Sequence, residues 1–381
     1  MLKKTLLALT LILVITGCKK EAHKRAKENS SSNFEIKFAK GFTVQQNDEY
    51  SIVVVLHPWP NAKKTFRYLV VEKEKLASMT FSTEAYDAVI TTPVKSLVVT
   101  STTHIPALES LGELDKLVGF PDTQYISSMP ARDLISKGEI KELGNNESLN
   151  TEMVLELNPD VIVGFGIDNQ NSSYDVFQKG NIPVVFNGDW TEETPLGKAE
   201  WIKFFGVLLN KQTQADSIFR EIENSYIAIK EVASHATHKP KVLSGALYKD
   251  VWYLPTGESW AARFIEDANG EYLYKETSGS GSLSLSFESV LEKGSQADIW
   301  VAPSQFVSYR EMEQANAHYQ QFRAFREKKV FTFANTKGAS GGLLYYELAP
   351  QRPDLVLKDL VHHFHPELLP DYSPYFFTPL Q

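Results

Sequence analysis

The sequence predicts an α/β protein with two sheet-containing halves that are joined by one long helix. Apolar, β-branched segments alternate with amphipathic segments on both sides of the middle of the chain. Between the halves, residues 212–235 contain neither Gly nor Pro and repeat apolar residues at helical spacing. A glutamate, a short amphipathic helix, a turn, an aspartate and an apolar strand also occur in that order once in each half. Together these patterns indicate parallel-rich sheets with helices packed on both faces.

The first 18 residues have the pattern of an export signal. Lys3 and Lys4 precede an apolar run at 6–15 that is too short for a hydrocarbon core of about 30 Å. The run ends in Ile-Thr-Gly-Cys, and Cys18 is the only cysteine of the chain. This ending resembles the lipobox of bacterial lipoproteins, which implies cleavage before Cys18 and its lipidation. A plain secretory signal with a chance cysteine is the alternative.

Residues 19–33 are charged and Ser-rich and carry no large apolar side chain, which predicts a disordered tether. No later segment is apolar for long enough to cross a membrane, so we expect a soluble chain held at a membrane by lipid. The net charge is −8 and both signs are interspersed. Nucleic-acid binding is therefore disfavoured.

An extension at 34–93 precedes the first half and is predicted to be a small β unit. Strand patterns at 51–56 and 67–71 are separated by a segment that carries Trp59 between two prolines. Trp59 could contact a ligand, but an aromatic in this setting favours a packed turn.

The N-lobe, residues 94–211, is predicted to alternate strands and helices. Its strands are expected at 94–100, 116–120, 160–165 and 182–186, and its helices at 105–111, 149–157 and 174–179. The C-lobe, residues 240–381, repeats the alternation. Its strands are expected at 241–245, 251–254, 298–302 and 329–333, and its helices at 259–267, 287–293 and 354–364. Residues 278–286 are Gly/Ser-rich and predict a mobile loop.

The interlobe helix, residues 212–239, is predicted to be a rigid rod. A helical pattern first begins at Pro195 after the capping residue Thr194, and it breaks at Asn210. A second pattern then continues without Gly or Pro to about residue 235, which corresponds to roughly 36 Å of helix. Pro240 ends it.

A catalytic serine is one reading of the glycine turn at 338–342. Ser340 fits the G-x-S-x-G pattern, with Asp359 and His362 as the available triad partners. The turn lacks the strand context of that motif, and no oxyanion-hole glycine run precedes it. A flexible turn after a strand is the favoured interpretation, and a periplasmic serine hydrolase remains the alternative function.

Three histidines lie close together near the C-terminus, at His362, His363 and His365. No carboxylate or cysteine at metal-ligand spacing accompanies them, so packed or surface histidines are favoured over a metal site. The chain also lacks phosphate-binding glycine motifs, which disfavours an ATPase or a dinucleotide-dependent dehydrogenase. We expect no cofactor and no resident metal.

Aromatic and small polar residues follow the predicted strands in both halves. In open α/β sheets, ligands bind beyond the carboxyl ends of strands. Two such edges that face each other would form a cleft for a large planar or hydrophobic chelate. The candidate ligand-binding residues are His104, Phe165, Trp190, Trp252, Tyr253, Trp260, Ser340 and Tyr345.

Several segments between 94 and 366 together resemble the substrate-binding lipoproteins of ABC importers for iron chelates, haem and cobalamin. The segments that carry the resemblance are 95–104, 114–119, 152–163, the interlobe helix, 265–270 and 288–301. The resemblance implies two Rossmann-like lobes joined by one rigid helix. It implies a monomeric, non-enzymatic receptor that delivers a chelate to an ABC permease dimer with its ATPase.

The same resemblance assigns roles to two glutamates. Glu152 and Glu288 match the residues that dock this family onto the two permease subunits. The chain departs from the family in its extension and at Asn146, where some relatives carry an aromatic that stacks on the ligand. The ligand itself is therefore left open, as is the membrane leaflet.

We predict that Cys18→Ser abolishes lipidation, because the thiol of Cys18 is the attachment point that the lipobox implies. The variant should accumulate unprocessed or lack the label in cells grown with radioactive fatty acid. Processing and labelling at the wild-type level would contradict the lipobox assignment.

Overall fold

A four-stranded sheet is the first element of the computed structural model, which describes residues 34–381 except 78, 80–81 and 167–171. Cys18 and the predicted tether lie outside the described residues. The elements of the extension are β1 Phe42–Gln46, β2 Tyr50–Val55, β3 Phe66–Glu72, α1 Lys73–Leu76 and β4 Ala88–Thr92. Strands β1, β2 and β3 are antiparallel, and β4 runs parallel to β3.

The extension shares one hydrophobic core with the N-lobe. The ring of Phe42 lies 4.4 Å from that of Trp201, and the backbone N–H of Phe186 donates to the Tyr68 hydroxyl at 3.0 Å. Burying these large rings removes apolar surface from water on both sides of the contact. The extension is thus built onto the N-lobe.

Two buried carboxylates fasten the chain that enters this sheet. Glu200 accepts the backbone N–H groups of residues 37–39 at 2.6–3.0 Å and the ammonium of Lys203 at 3.0 Å. Glu192 accepts the N–H groups of residues 40–41 at 2.8–3.1 Å. Charge-assisted bonds of this kind are stronger than neutral ones, and they satisfy a segment without a strand partner.

The N-lobe has a five-stranded parallel sheet in the order β11-β10-β5-β6-β7. Its elements are β5 Leu97–Val99, α2 Ile105–Ser110, β6 Leu117–Phe120, α3 Met129–Ser136, β7 Lys141–Glu142, β8 Gly144–Asn145, β9 Ser148–Leu149, α4 Thr151–Leu157, β10 Val161–Gly164, α5 Ser172–Lys179 and β11 Val184–Phe186. All residues of β5, β10 and β11 are buried, which agrees with their continuous apolar sequences.

Three helices then lead to the C-lobe: α6 Pro195–Ala199, α7 Ile202–Leu208 and α8 Gln212–Ser234. The predicted break at Asn210 is present, because Asn210 has a positive φ of 56° between α7 and α8. The 23-residue α8 is the predicted interlobe helix. No helix in the described part of the chain combines the length and apolarity that a membrane span requires.

The C-lobe sheet has the order β15-β12-β17-β18-β19, and only β19 is antiparallel to its neighbour. Its elements are β12 Lys241–Ser244, β13 Ala246–Tyr248, β14 Val251–Pro255, α9 Trp260–Asp267, β15 Glu271–Tyr272, β16 Ser282–Leu285, α10 Phe287–Gly294, β17 Ile299–Val301, α11 Tyr309–Ala315, α12 Arg323–Arg326, β18 Val330–Thr332, α13 Leu344–Leu348, α14 Pro353–Phe364 and β19 Thr378–Pro379. The predicted mobile loop at 278–286 is wrong in part, since β16 pairs with β14.

The interlobe helix is fixed at both ends. Its beginning packs on α7, where Lys203 lies 3.3 Å from Asp216. Its end packs on α14, and the Tyr226 hydroxyl donates to Asp267 of α9 at 2.6 Å. Because each turn carries its own hydrogen bonds, a helix held at both ends resists bending.

Glu347 connects the two lobes directly. Its buried carboxylate accepts the backbone N–H groups of Ser127 and Ser128 at 2.5 and 2.9 Å. Burial raises the pKa of Glu347 to about 7, although these hydrogen bonds oppose the shift, and the charge of Glu109 adds to it. This contact, which we call the cross-lobe latch, holds α13 of the C-lobe against the start of α3.

We predict that the lobes keep one relative orientation, because α8 contains neither Gly nor Pro. Spin labels at Glu156→Cys and Glu292→Cys, which are exposed on α4 and α10, should give one narrow distance distribution by pulsed electron resonance. The full chain is used in detergent. Lipidation of Cys18, as the lipobox implies, would leave the two engineered cysteines as the thiols that react with the spin label. Two populations or a broad distribution would show that the helix acts as a hinge.

We predict that Glu347 makes stability depend on pH. The pKa of Glu347 is higher in the folded chain than its usual value in an unfolded chain. Its contribution to the unfolding free energy is therefore present below about pH 4.5 and is lost as the pH rises through about 7. The advantage of wild type over Glu347→Gln in unfolding free energy should fall by up to about 3 kcal/mol across this window. Burial lowers the pKa values of His104 and His363 to about 4. These two histidines have the opposite effect, because they lower the unfolding free energy as the pH falls.

Only the difference between the two proteins isolates Glu347, since the histidines are common to both. Exposed Glu156→Gln serves as the control and should track wild type at every pH. Parallel curves for wild type and Glu347→Gln would contradict the prediction.

Candidate ligand-binding cleft

The carboxyl ends of strands from both lobes present tryptophans. Trp190 lies in a short 3-10 turn, Asp189–Thr191, that follows β11. Trp260 is the first residue of α9, and Ser259 caps the helix by accepting the N–H of Ala262. Both tryptophans lie just beyond the carboxyl end of a strand, β11 for Trp190 and β14 for Trp260.

A cavity of about 620 Å³ lies between these rings. We call it the aromatic cavity. Three parts of the chain line it: Trp59 with His57 from the extension, Trp190 with Glu193 from the N-lobe, and Trp260 from the C-lobe. Cavities of about 300–1,000 Å³ with aromatic walls and a few polar groups are typical of small-molecule sites.

Trp260 belongs to a stacked series of rings in the C-lobe. Its ring stacks on Tyr345 at 6.0 Å, and Tyr345 stacks on Phe333 at 4.4 Å. Tyr345 is buried, and burial raises the pKa of its hydroxyl. Tyr345 therefore supports Trp260 from behind, and we assign it a positioning role rather than direct contact with the cavity.

Lys198 contacts both Trp190 and Trp260. Its ammonium donates to the carbonyls of Asp189 and Trp190 at 3.0 and 2.9 Å and lies 5.1 Å from the centre of the Trp260 ring. Burial lowers the pKa of Lys198 to about 8, while the charges of Asp189 and Glu192 oppose this shift. The ammonium thus holds the turn that carries Trp190 and faces the Trp260 ring from the other lobe.

Phe165 is close to Trp190, with ring centres 5.5 Å apart. Its backbone is fixed, because its N–H donates to the Thr100 hydroxyl at 2.8 Å and its carbonyl accepts from the Tyr174 hydroxyl at 3.2 Å. Asn146 donates to the same carbonyl at 3.5 Å. Phe165 and Trp190 are thereby brought together, but only Trp190 of the two lines the aromatic cavity.

His104 is completely buried beside Phe205, whose ring centre is 5.5 Å away. Burial lowers the pKa of His104 to about 4, with the charge of Asp189 opposing, so the ring is neutral near pH 7. Within the described residues, neither of its ring nitrogens has a hydrogen-bond partner, and the same is true of the Trp190 indole N–H. Such atoms remain available to a ligand or water.

The structure does not support a ligand contact at Trp252. Its ring is fully buried, stacks on Trp300 at 5.3 Å and packs on Phe322 at 5.4 Å, and its indole N–H donates to the Ser244 carbonyl. Tyr253 follows it on β14, points to the opposite face and is exposed. Tyr253 lines neither the aromatic cavity nor the smaller cavity beside Ser340.

Ser340 lies at the contact between the lobes. It lines a cavity of about 290 Å³ together with Tyr125 and Tyr346, and its hydroxyl donates to the Ile126 carbonyl at 3.2 Å. The supposed triad partners are engaged elsewhere. Asp359 accepts three backbone N–H groups at 375–377, and a ring nitrogen of His362 bonds the Leu369 carbonyl. The hydrolase alternative therefore lacks its geometry.

The three C-terminal histidines do not converge. His362, His363 and His365 each place a ring nitrogen against a different backbone carbonyl, and His363 also stacks on Phe331 at 4.0 Å. The sequence interpretation of packed histidines agrees with the positions of His362 and His363.

Glu152 and Glu288 occupy equivalent places. Each is exposed in the first turn of its helix, α4 or α10, and each helix directly precedes a central parallel strand, β10 or β17. Such a helix runs against the strands, so its start lies at the carboxyl edge of the sheet. Both carboxylates are therefore at the cleft side of their lobes.

A packed turn was the favoured prediction for Trp59 of the extension, and the other cavity residues of the extension were not predicted from the sequence. His57, Trp59 and Asn61 line the aromatic cavity, although Trp59 also packs on Phe66 and Phe186 with ring centres 5.7 and 5.3 Å apart. Trp59 is both a packed turn residue and a cavity wall. No local signal could have separated the two roles, since the second depends on contact with a segment 130 residues away.

Solved structures share this architecture. A possible iron-binding (periplasmic solute-binding) protein of Staphylococcus epidermidis superposes with a TM-score of 0.56 and 18% identity, covering 72% of this chain and 99% of that one. A periplasmic heme binding protein of Pseudomonas aeruginosa gives 0.55 and 17%, covering 76% and 98%. At this identity the likeness establishes the fold.

Sequence comparison gives the family. An uncharacterized lipoprotein of Methanocaldococcus jannaschii is 26% identical over 299 residues, which cover 76% of this chain and 69% of the relative. The family model described as periplasmic binding protein matches residues 97–336, which include the N-lobe sheet, the whole interlobe helix and the four parallel strands of the C-lobe sheet. This chain therefore belongs to the periplasmic binding protein family.

Proposed function

We propose that this chain is the substrate-binding component of an ABC importer. It captures a metal chelate of the ferric siderophore, haem or cobalamin class in the aromatic cavity and delivers it to the permease. The observation that carries the proposal is the meeting of Trp59, Trp190 and Trp260, from three parts of the chain, around one cavity. We further propose that lipidated Cys18 anchors the receptor to a membrane of the cell envelope, facing the periplasm.

The chemistry of the aromatic cavity suits a large conjugated or aromatic ligand. Indole faces stack in offset geometry on planar rings, and each such pair adds about 0.5–1.5 kcal/mol beyond the area that it buries. The indole N–H of Trp190, whose side chain lines the cavity, has no hydrogen-bond partner among the described residues and offers a polar contact. A rigid frame also lowers the entropic cost of binding, because the walls are preformed.

The relatives are consistent with this ligand class. Two proteins of the same fold are described as iron-binding and heme-binding, and the archaeal relative is described as a lipoprotein. Periplasmic binding proteins of this type bind small molecules and hand them to an ABC permease. Titration with a member of each chelate class distinguishes among the three.

We predict that Trp190→Ala and Trp260→Ala each weaken chelate binding by about tenfold, which corresponds to about 1.4 kcal/mol, because each removes a stacking face. The full chain in detergent is titrated with haemin, a ferric siderophore and cyanocobalamin. Binding is followed by quenching of tryptophan fluorescence and by the visible spectrum of the chelate.

Tyr248→Ala is the matched control, since Tyr248 is an exposed aromatic of the C-lobe that lines neither cavity. It should bind like wild type. Circular dichroism verifies that all variants are folded. Equal affinity in wild type, Trp190→Ala and Trp260→Ala would place the ligand elsewhere, and no binding of any chelate would reject the ligand class.

We predict that Glu152→Ala combined with Glu288→Ala stops uptake while folding and chelate affinity stay intact. Exposed carboxylates at an interface steer docking and fix its register more than they stabilise the fold. Uptake of radiolabelled chelate into cells or proteoliposomes is the measurement, and the salt dependence of docking should also decrease.

Glu156→Ala combined with Glu292→Ala provides a matched control on the same two helices, with both residues exposed. This double variant removes the same charge and should transport normally. If both double variants lose uptake to the same extent, net charge rather than docking is responsible. Wild-type uptake with Glu152 and Glu288 removed would leave these residues as helix-start carboxylates only.

A further inference from the structure

Three side chains with metal-ligand chemistry meet at the amino edge of the C-lobe sheet. His238 lies between α8 and β12, His365 caps the end of α14, and Glu367 lies in the following 3-10 turn, Pro366–Leu368. One potential ligand atom from each residue lies within 4.8 Å of the others. The aromatic cavity is at the opposite, carboxyl end of the strands, so this cluster is separate from the chelate site.

His365 is oriented as a ligand. Its ring is completely buried, and its Nε2–H donates to the Ala268 carbonyl at 3.1 Å. This bond places the proton on Nε2 and leaves the lone pair on Nδ1. Nδ1 is itself buried and has no hydrogen-bond partner among the described residues. Metal-bound histidines typically donate their other N–H to a backbone carbonyl in this way.

His238 and Glu367 lie close enough to His365 to share a metal ion with it. The rings of His238 and His365 are 5.1 Å apart with an interplanar angle of 74°, and His238 and Glu367 are both exposed. Zn–N and Zn–O bonds of about 2.0–2.2 Å place neighbouring ligands of a tetrahedral ion about 3.3 Å apart. Ion binding therefore requires the exposed side chains of His238 and Glu367 to rotate toward the buried ring of His365.

We propose that His238, His365 and Glu367 form a binding site for a divalent cation of the zinc class. Two imidazoles and one carboxylate suit Zn²⁺ and the neighbouring ions Co²⁺ and Ni²⁺ better than Mg²⁺ or Ca²⁺, which prefer oxygen ligands. Three protein ligands leave the fourth position to water. The bound ion would join the end of the interlobe helix to the end of α14.

The test uses the full chain in detergent, without a polyhistidine tag and after treatment with EDTA. Calorimetric titration with ZnCl2 gives the affinity, and the visible bands of Co²⁺ report its coordination. His238→Ala and Glu367→Gln should each weaken Zn²⁺ binding about tenfold or more and reduce the Co²⁺ bands. Zn²⁺ should raise the unfolding temperature of wild type and have a smaller effect on both variants.

His235→Ala is the matched control. His235 is an exposed histidine three residues before His238, and its ring bonds the Glu231 carbonyl. This variant should bind Zn²⁺ like wild type. The exposed positions of His238 and Glu367 keep the test informative even if replacement of buried His365 prevents folding. Unchanged affinity in His238→Ala and Glu367→Gln, or no Zn²⁺ binding by wild type, would overturn the proposal.

Discussion

The distance between the two lobes is set by one uninterrupted helix. Helix α8 comprises 23 residues, Gln212–Ser234, and contains neither Gly nor Pro. No residue therefore interrupts its backbone hydrogen bonds. The helix is packed on α7 at its beginning and on α14 at its end. A helix held in this way would fix the walls of the cleft before a ligand arrives, and complementarity would then have to be present already in the side chains.

Buried carboxylates hold the segments that lack strand partners. Glu200 and Glu192 bind the N–H groups of residues 37–41, Glu347 binds those of 127–128, and Asp359 binds those of 375–377. An unpaired buried N–H costs about 1–3 kcal/mol, so each carboxylate compensates for several such groups. In the extension, this device fixes the entering chain at Lys40 and Gly41, which also line the aromatic cavity.

Local periodicity was sufficient to predict most strands, the interlobe helix and its break at Asn210, because these features depend on neighbouring residues. It could not distinguish Trp252 from Trp260. Trp252 lies within a predicted strand and Trp260 near the start of the next predicted helix, and only the partners of each ring show that Trp252 lies in the core while Trp260 faces a cavity. The metal-ligand cluster was equally invisible, since His238 and His365 are 127 residues apart. The Gly/Ser-rich loop was mispredicted because its strand pairing with β14 is non-local.

A substrate-binding component of the proposed kind must release its ligand to the permease. Among the described residues, the lobes meet on the cleft side through the cross-lobe latch at Glu347, the bond from Ser340 to the Ile126 carbonyl, the bond from the Ser127 hydroxyl to the Gly342 carbonyl and the packing of α13 on α2. Glu152 and Glu288 begin helices on separate lobes, at the same edge of the sheets as these contacts. We propose that docking of Glu152 and Glu288 onto the two permease subunits applies force on each side of the latch. A stiff α8 would transmit that force to the walls of the aromatic cavity instead of absorbing it in a hinge, and ligand release would then follow from permease docking.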